Sequence, residues 1–343
     1  MQNKKPTLKT VAEYLGVSTA TVSNAFNRPN QLSKSLREKI LSECENLGYS
    51  GPSITARSLR TGKTGVIGLL LADNLAFNFT DPVATEFLAG ISQLLDQEHV
   101  NMLMLPSNTE NYQNTQVETI PDSFIVYGKP MDANVMNLIT RQRKPLVTVD
   151  FCWPDIPSIN VDNEQACYDI ASHAIHSPDD HILILGLRLE STNALALANL
   201  DNLYTEEESV SRCRFEGYKR AIHDKGATLD VDNVWQIHEL EKPVLKTMLR
   251  GALTSPQRPQ VLLCMSDKIA LAALEVTQEL GLIVPDEIRI VGFDDIPAAE
   301  SAGLTTVRQP IMHKGQLAAQ MAMGHIPYQT MVLDTELMIR RTS

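Results

Sequence analysis

Two sets of residues in this 343-residue chain have types and spacings suited to binding chemistry. The first lies in TLKTVAEYLGVSTATVSNAFN, residues 7–27, where Thr19, Ala20, Ser23, Asn24 and Asn27 fall on one face of a helical repeat. Short hydroxyl and amide side chains on such a face donate and accept hydrogen bonds at close range. The second set follows apolar runs: Asp150 after PLVTV, Ser266 and Asp267 after VLLCM, Asp294 and Asp295 after IRIVGF, and the polar stretch DNLAFNFTDP (73–82) after VIGLLLA. Carboxylates converging from such positions bind vicinal hydroxyls bidentately, as a sugar or nucleoside would require. Catalytic constellations are missing: there is no G-x-S-x-G elbow, phosphate-cradling glycine loop, H-E-x-x-H or C-x-x-C. The five cysteines are scattered, and His173 and His176 are the only histidine pair at helical spacing. No metal or organic cofactor is expected.

The first set needs a helix-turn-helix to present it. Ala12 is small enough for two helices to approach, Gly16 can take a positive φ at the turn, and Val22 faces Val11, Leu15 and Val17. A third helix follows, opened by Ser33 as N-cap or by a capping box from Ser35 to Glu38, with Leu36, Ile40, Cys44 and Leu47 at helical spacing. A plain amphipathic hairpin shares this spacing, and charge separates the two readings. Residues 1–63 hold ten basic and four acidic side chains, a net of +6, while the rest hold twenty and thirty-seven, a net of −17. An acidic protein with one basic module approaches nucleic acid through that module. The basic segment GPSITARSLRTGKTG (51–65) reads as a hinge able to form a brief helix, with Ala56 and Leu59 on one side and Arg57 and Arg60 flanking. It is too short to hold alone and is expected to order on DNA or a partner protomer.

From Val66 onward, short apolar runs alternate with amphipathic segments. VIGLLLA, NMLMLP, SFIVYG, PLVTVD, HILILGL, VLLCMSD and IRIVGFDD read as buried parallel strands, with helices over 84–97, 131–142, 163–175, 213–225 and 268–280. About 280 residues in this rhythm make two lobes more plausible than one. Open parallel sheets bind ligands beyond their carboxyl ends, which selects the second residue set. Asp294 can equally cap a loop or pair with an arginine, Asp267 can cap the helix after it, and Phe77 and Phe79 can be core residues. The stretch 193–208 takes no assignment.

In TVAEYLGVSTATVSNAFN and LGYSGPSITARSLRTGKT the chain resembles the lac repressor/galactose repressor family of transcription regulators, nearly end to end. The resemblance implies base contacts in the major groove from Thr19, Ala20 and Asn24, backbone contacts from Thr7, Ser18, Thr21, Ser23, Asn27 and Ser33, and a minor-groove hinge of Ala56, Arg57 and Leu59, the last wedging between base steps. Asn24 stands where many members have arginine, which shifts preference from guanine toward adenine. The resemblance also implies a periplasmic-binding-protein-like pair of lobes joined by three crossings, placed near residues 161, 292 and 327. Arg214 and Asp294 match its effector-contacting pair, and Ser266 replaces an asparagine of several sugar-responsive members. The aromatic residues of that site are replaced at Val83 and Ala84, with Phe77, Phe79 or Trp153 as candidate substitutes.

The expected architecture is an all-α helix-turn-helix headpiece (1–50), a hinge (51–63) and a two-lobed α/β effector-binding and dimerisation domain with parallel sheets (64–343). Its N-lobe spans about 64–161 and 293–327, and its C-lobe about 162–292 and 328–343. The expected function is an effector-responsive regulator, a repressor in sense, that binds a near-palindromic double-stranded operator as a homodimer. A sugar-like effector is expected at Phe79, Asp81, Asp150, Arg214, Ser266 and Asp294. A solute-binding protein or a sugar-modifying enzyme on a similar two-lobed fold is the alternative. With neither a signal peptide nor an apolar run of membrane-spanning length, a cytoplasmic location and no membrane partner are expected; with no heptad tail, a tetramer assembled by a terminal helical bundle is disfavoured.

Overall fold

The computed structural model describes residues 6–51, 62–73, 75–112, 116–189, 196–197, 209–237 and 242–343. It divides into two compact units, one ending at Gly65 and one beginning at Val66. The hinge residues Ala56, Arg57 and Leu59, and most of 193–208, lie outside the described residues.

The first unit holds α1 (Leu8–Leu15), α2 (Thr19–Asn27) and α3 (Lys34–Asn46). Each begins at a hydroxyl that accepts a backbone N–H of its first turn: Thr7 from Thr10, Ser18 from Thr21 and Ser33 from Leu36. Ser33, rather than Ser35, is therefore the cap of α3. Gly16 ends α1 at φ 65°, the left-handed conformation that glycine adopts without steric cost. Val11, Ala12, Val22, Ala25, Ile40 and Cys44 close one small core, against which Leu15, Val17, Leu36 and Leu47 pack. Tyr49 completes it edge-on to Phe26, with ring centroids 5.9 Å apart.

The second unit holds two sheets and a short ribbon. The six-stranded sheet runs β12-β5-β4-β3-β1-β2 from β1 (Val66–Leu71), β2 (Asn101–Leu105), β3 (Ser123–Tyr127), β4 (Leu146–Val149), β5 (Ser158–Val161) and β12 (Met331–Leu333), all parallel. The five-stranded sheet runs β10-β9-β6-β8-β7 from β6 (Ile182–Gly186), β7 (Ala196–Leu197), β8 (Val234–Gln236), β9 (Val261–Cys264) and β10 (Arg289–Val291), with only β7 antiparallel. β11 (Thr306–Arg308) and β13 (Glu336–Met338) form the antiparallel ribbon.

The central strands read as unbroken apolar runs because both faces are covered, whereas β2, expected to be buried, lies at the sheet edge and exposes Asn101 and Met102. Ile67, Leu69 and Leu71 of β1 meet Phe87 and Ile91 of helix Pro82–Glu98 and Ile311 and Ala318 of helix Ile311–Ala322, while Leu70 faces Val135 and Ile139 of helix Ala133–Thr140. In the second sheet Ile182 and Ile184 of β6 face helices Asn163–Ala174 and Val210–Asp224, and Leu183 and Leu185 face Lys242–Thr254 and Asp267–Leu280. Two helix pairs approach closely enough to require glycine. A Cβ on Gly90 would strike the Met312 carbonyl, and one on Gly217 the Glu164 carbonyl.

The chain leaves the first sheet after Val161 and enters the second at β6. The second crossing falls at 309–310, not near 292, because Ile296, Ala299 and Leu304 bury against Leu262 and Ile290 and so keep that stretch in the second lobe. The third falls at 334–335, not near 327, because β12 extends the open edge of the first sheet at β5 before β13 joins β11. Among the described residues no helix is long and apolar enough to cross a membrane.

Candidate functional site

In the headpiece, Thr19, Ala20 and Asn27 are exposed on α2, and Ser23, Asn24 and Thr21 are half-buried. Side chains on this face bond locally. Ser18 Oγ lies 2.8 Å from Thr21 Oγ1, and Asn27 Nδ2 donates to the Ser23 carbonyl at 3.0 Å. Thr7, Ser18 and Ser33 all stand at helix N-termini, where free N–H groups and the helix dipole favour an anion.

In the body, polar side chains converge beyond the carboxyl ends of both sheets. Asp150 follows β4 at φ 61°, and Asp294 follows β10 at φ 113°. Both are left-handed values that non-glycine residues seldom hold unless their surroundings impose them. The Asp294 N–H donates to Val307 at 2.8 Å and the Asp150 N–H to Ile159 at 3.1 Å, fixing both turns. Arg214, on the helix Val210–Asp224, is 4% exposed. Its Nε donates to Asn163 Oδ1 at 2.9 Å, its Nη1 to the Met265 carbonyl at 2.5 Å, and its Nη2 lies 3.6 Å from Asp294 Oδ1. The guanidinium also covers the Phe293 ring, 3.6 Å from its centroid. Gln309 Nε2 donates to Asp294 Oδ1 at 2.7 Å, and Lys314 Nζ donates to Asp150 Oδ1 at 2.5 Å and to Gln309 Oε1 at 2.6 Å.

Asp81 caps the helix Pro82–Glu98 through Ala84 N–H at 2.9 Å and pairs with Lys268 at 3.2 Å, which joins the two lobes. Ser266 caps the helix Asp267–Leu280, accepting from Ile269 N–H at 3.4 Å. Asp267 is therefore not the cap. It is fully buried, accepting from Ile296 N–H at 2.9 Å and from the Thr306 hydroxyl at 2.5 Å. Phe79 is 60% exposed, whereas Phe77 meets the Lys268 ammonium 4.6 Å from its ring centroid and so is the one of the two that joins this cluster. Trp153 packs with Phe151 and Leu70 instead.

Arg214 pairs with Asp294, Lys268 with Asp81 and Lys314 with Asp150, so three cations face three carboxylates in the crevice. Burial pushes the Asp294 carboxyl up to about 6, against the opposing pull of Arg214 and the Gln309 hydrogen bond. Burial, then the Asp294 charge, raises Asp267 to about 8. Burial and the charges of Asp150, Asp294 and Asp81 hold the Tyr127 phenol well above its usual range, so it remains a neutral hydroxyl in the field of all three.

Asn163, Lys268, Gln309 and Lys314 were not expected. Lysines and amides on helices usually face solvent, and only the three-dimensional placement of the crossing at 309–310 brings Gln309 and Lys314 inward.

Comparison with known proteins accounts for both units. A family model described as bacterial regulatory proteins, lacI family, matches residues 7–51, and one described as a periplasmic binding protein-like domain matches 196–343. An HTH-type transcriptional regulator of Mycobacterium tuberculosis is 33% identical, over 99% of this chain and 97% of its own. The chain belongs to the lacI family of bacterial regulatory proteins. It is a transcriptional regulator, not an enzyme. The structure of the lac repressor dimer bound to operator and the anti-inducer ONPF is 22% identical, with a TM-score of 0.74 and 99% of both chains covered. That of a CelR–cellobiose complex is 20% identical, with a TM-score of 0.65, covering 98% of this chain and 100% of the other. At such identity these two likenesses establish the fold of this lacI-family member: headpiece helices followed by a two-lobed α/β body.

Proposed function

We propose that this regulator binds a near-palindromic operator as a homodimer in the cytoplasm, and that a sugar-like small molecule seated between the lobes switches its DNA affinity. The observation that carries the reading is the cluster of buried Arg214, Asp294, Gln309 and Lys314 with half-buried Asp150, in which both lobes supply hydrogen-bonding groups at the carboxyl ends of their strands. Neutral pairing within the cluster favours an uncharged, hydroxylated ligand over a phosphorylated one, whose charge would compete with three carboxylates. Cellobiose in a relative of the same fold supports that class.

On the DNA side, Thr19, Ala20 and Asn24 read base edges, while Thr7, Ser18, Thr21, Ser23, Asn27 and Ser33 hold phosphates. Three of these are the helix caps, so their neighbouring N–H groups serve the same anion. Ala56, Arg57 and Leu59 enter the minor groove. Ligand binding favours one lobe arrangement, and the operator favours one as well. Linkage makes the coupling reciprocal: a ligand that weakens operator binding is itself weakened by operator, by the same factor.

The experiment is a thermal-shift screen of the full chain against mono- and disaccharides, polyols and nucleosides. A ligand at a hundredfold excess over Kd stabilises by about 2.7 kcal/mol. A selective shift that disappears in Asp294→Ala supports the crevice as the site; a shift that survives Asp294→Ala overturns it.

A further inference from the structure

Lys314 is out of place for its residue type. It lies in the first turn of the helix Ile311–Ala322, yet its side chain is 1% exposed, and lysine is almost never buried unless paired. Here the ammonium meets Asp150 Oδ1 at 2.5 Å and Gln309 Oε1 at 2.6 Å, and Gln309 Nε2 continues to Asp294 Oδ1 at 2.7 Å. The two ends of a carboxamide are opposite in kind. An ammonium only donates and a carboxylate only accepts, so the order lysine, glutamine, aspartate admits one orientation of the amide.

We infer that Lys314 is a positioning residue of the effector site: it orients the Gln309 amide and anchors Asp150, so that the carboxylates of the two lobes are joined in one polarised chain. The inference rests on the proposed reading of the crevice. Its consequence falls on one atom. Gln309 and Arg214 both approach Oδ1 of Asp294, and among the described residues Oδ2 has no hydrogen-bond partner, which leaves it to accept from a ligand hydroxyl. Without the ammonium the Gln309 oxygen loses its charged donor and the amide is held from the Asp294 side alone, so the chain to Asp150 is broken and the amide is freer to move.

The groups facing Asp294 are Arg214, Lys314, Asp81, Asp267, Tyr127 and Cys167, contributed by different elements of both lobes. Gln309 reports on that carboxylate directly. In full-length protein labelled at glutamine side-chain nitrogen, with the signal assigned by its loss in Gln309→Met, the Gln309 amide is expected to shift with pH around a midpoint of about 6 and to lose that response in Asp294→Asn. In Lys314→Met the amide signal moves toward that of free glutamine and its titration disappears, while Lys314→Arg retains both. An unchanged, still-titrating Gln309 signal in Lys314→Met overturns the inference. If that variant does not fold, Asp150→Asn, which weakens the other anchor of the same ammonium, is expected to give a smaller displacement of the signal, and no displacement overturns the inference equally. The effector reading fails separately, when no sugar or polyol shifts the melting temperature although Gln309 still titrates.

Discussion

The headpiece and the crevice use similar polar side chains in opposite ways. On α2 and at the three helix starts, the candidate contact residues are exposed or half-buried and bond within four residues of themselves, as Ser18 does to Thr21 and Asn27 to Ser23. In the crevice, apart from the Lys314–Gln309–Asp294 run, the partners are far apart in sequence. Arg214 reaches Asn163 and Met265, each 51 residues away, Lys268 reaches Asp81 across 187 and Lys314 reaches Asp150 across 164. A surface that reads a large partner keeps its groups open to it, whereas a site that encloses a small ligand must first satisfy its own charges, since an unpaired buried ion is costly.

That contrast can be strained from its most consequential point downward. Arg214→Ala leaves Asp294 buried without its cation, and breaking a buried pair costs about 3–5 kcal/mol. Calorimetry should show the body melting far earlier with the headpiece transition in place. A uniform loss across both units would contradict the division. Gly90→Ala drives a methyl into the Met312 carbonyl and is expected to cost about 1–3 kcal/mol by overpacking, read from denaturant midpoints of the body.

The buried carboxyls add a pH signature. Asp267 and Asp294 are held at about 8 and about 6, above the ordinary 3.8, so the folded state binds more protons than the unfolded one between those values. Their contribution is present at low pH and is lost as pH rises through about 6 and then about 8. His173, held below its ordinary 6.5 by burial, acts in the opposite sense: its contribution is lost as pH falls through 6.5. Asp267→Asn removes one carboxyl from this balance, so the stability gap between wild type and variant should narrow as pH rises toward 9. A gap independent of pH would place the Asp267 carboxyl in the ordinary range. The smallest effect belongs to the headpiece: Ser18→Ala removes a helix cap worth about 1 kcal/mol, with no change in the melting of the body.

The same contrast explains what the sequence could convey. The Ser33 cap, the turn at Gly16 and the core positions Val11, Ala12 and Val22 follow from local spacing, and each stands in the structure where the spacing placed it, whereas Asp267, also a candidate cap, does not. The apolar strands were equally legible, because burial on both faces leaves a continuous hydrophobic run. Strand ends pointed to Asp150, Ser266 and Asp294, but not to their partners. Lys314 and Gln309 take their meaning from where the chain recrosses between lobes, and that crossing was displaced from 292 to 309–310 by apolar contacts of Ile296, Ala299 and Leu304 that no local period encodes. Phe77 and Phe79 are two residues apart on one short segment, and only packing against Lys268 distinguishes them.

Control of DNA binding by the crevice is the proposal on which the rest depends. It is tested most directly by the affinity of the full chain for an operator selected from randomised duplexes, measured with and without the compounds that stabilise the protein, in wild type and in Asp294→Ala. At least a tenfold change in operator affinity is expected with one such compound, about 1.4 kcal/mol of coupling, and none in Asp294→Ala. An equal change in both proteins, or operator affinity indifferent to every stabilising compound, would contradict it.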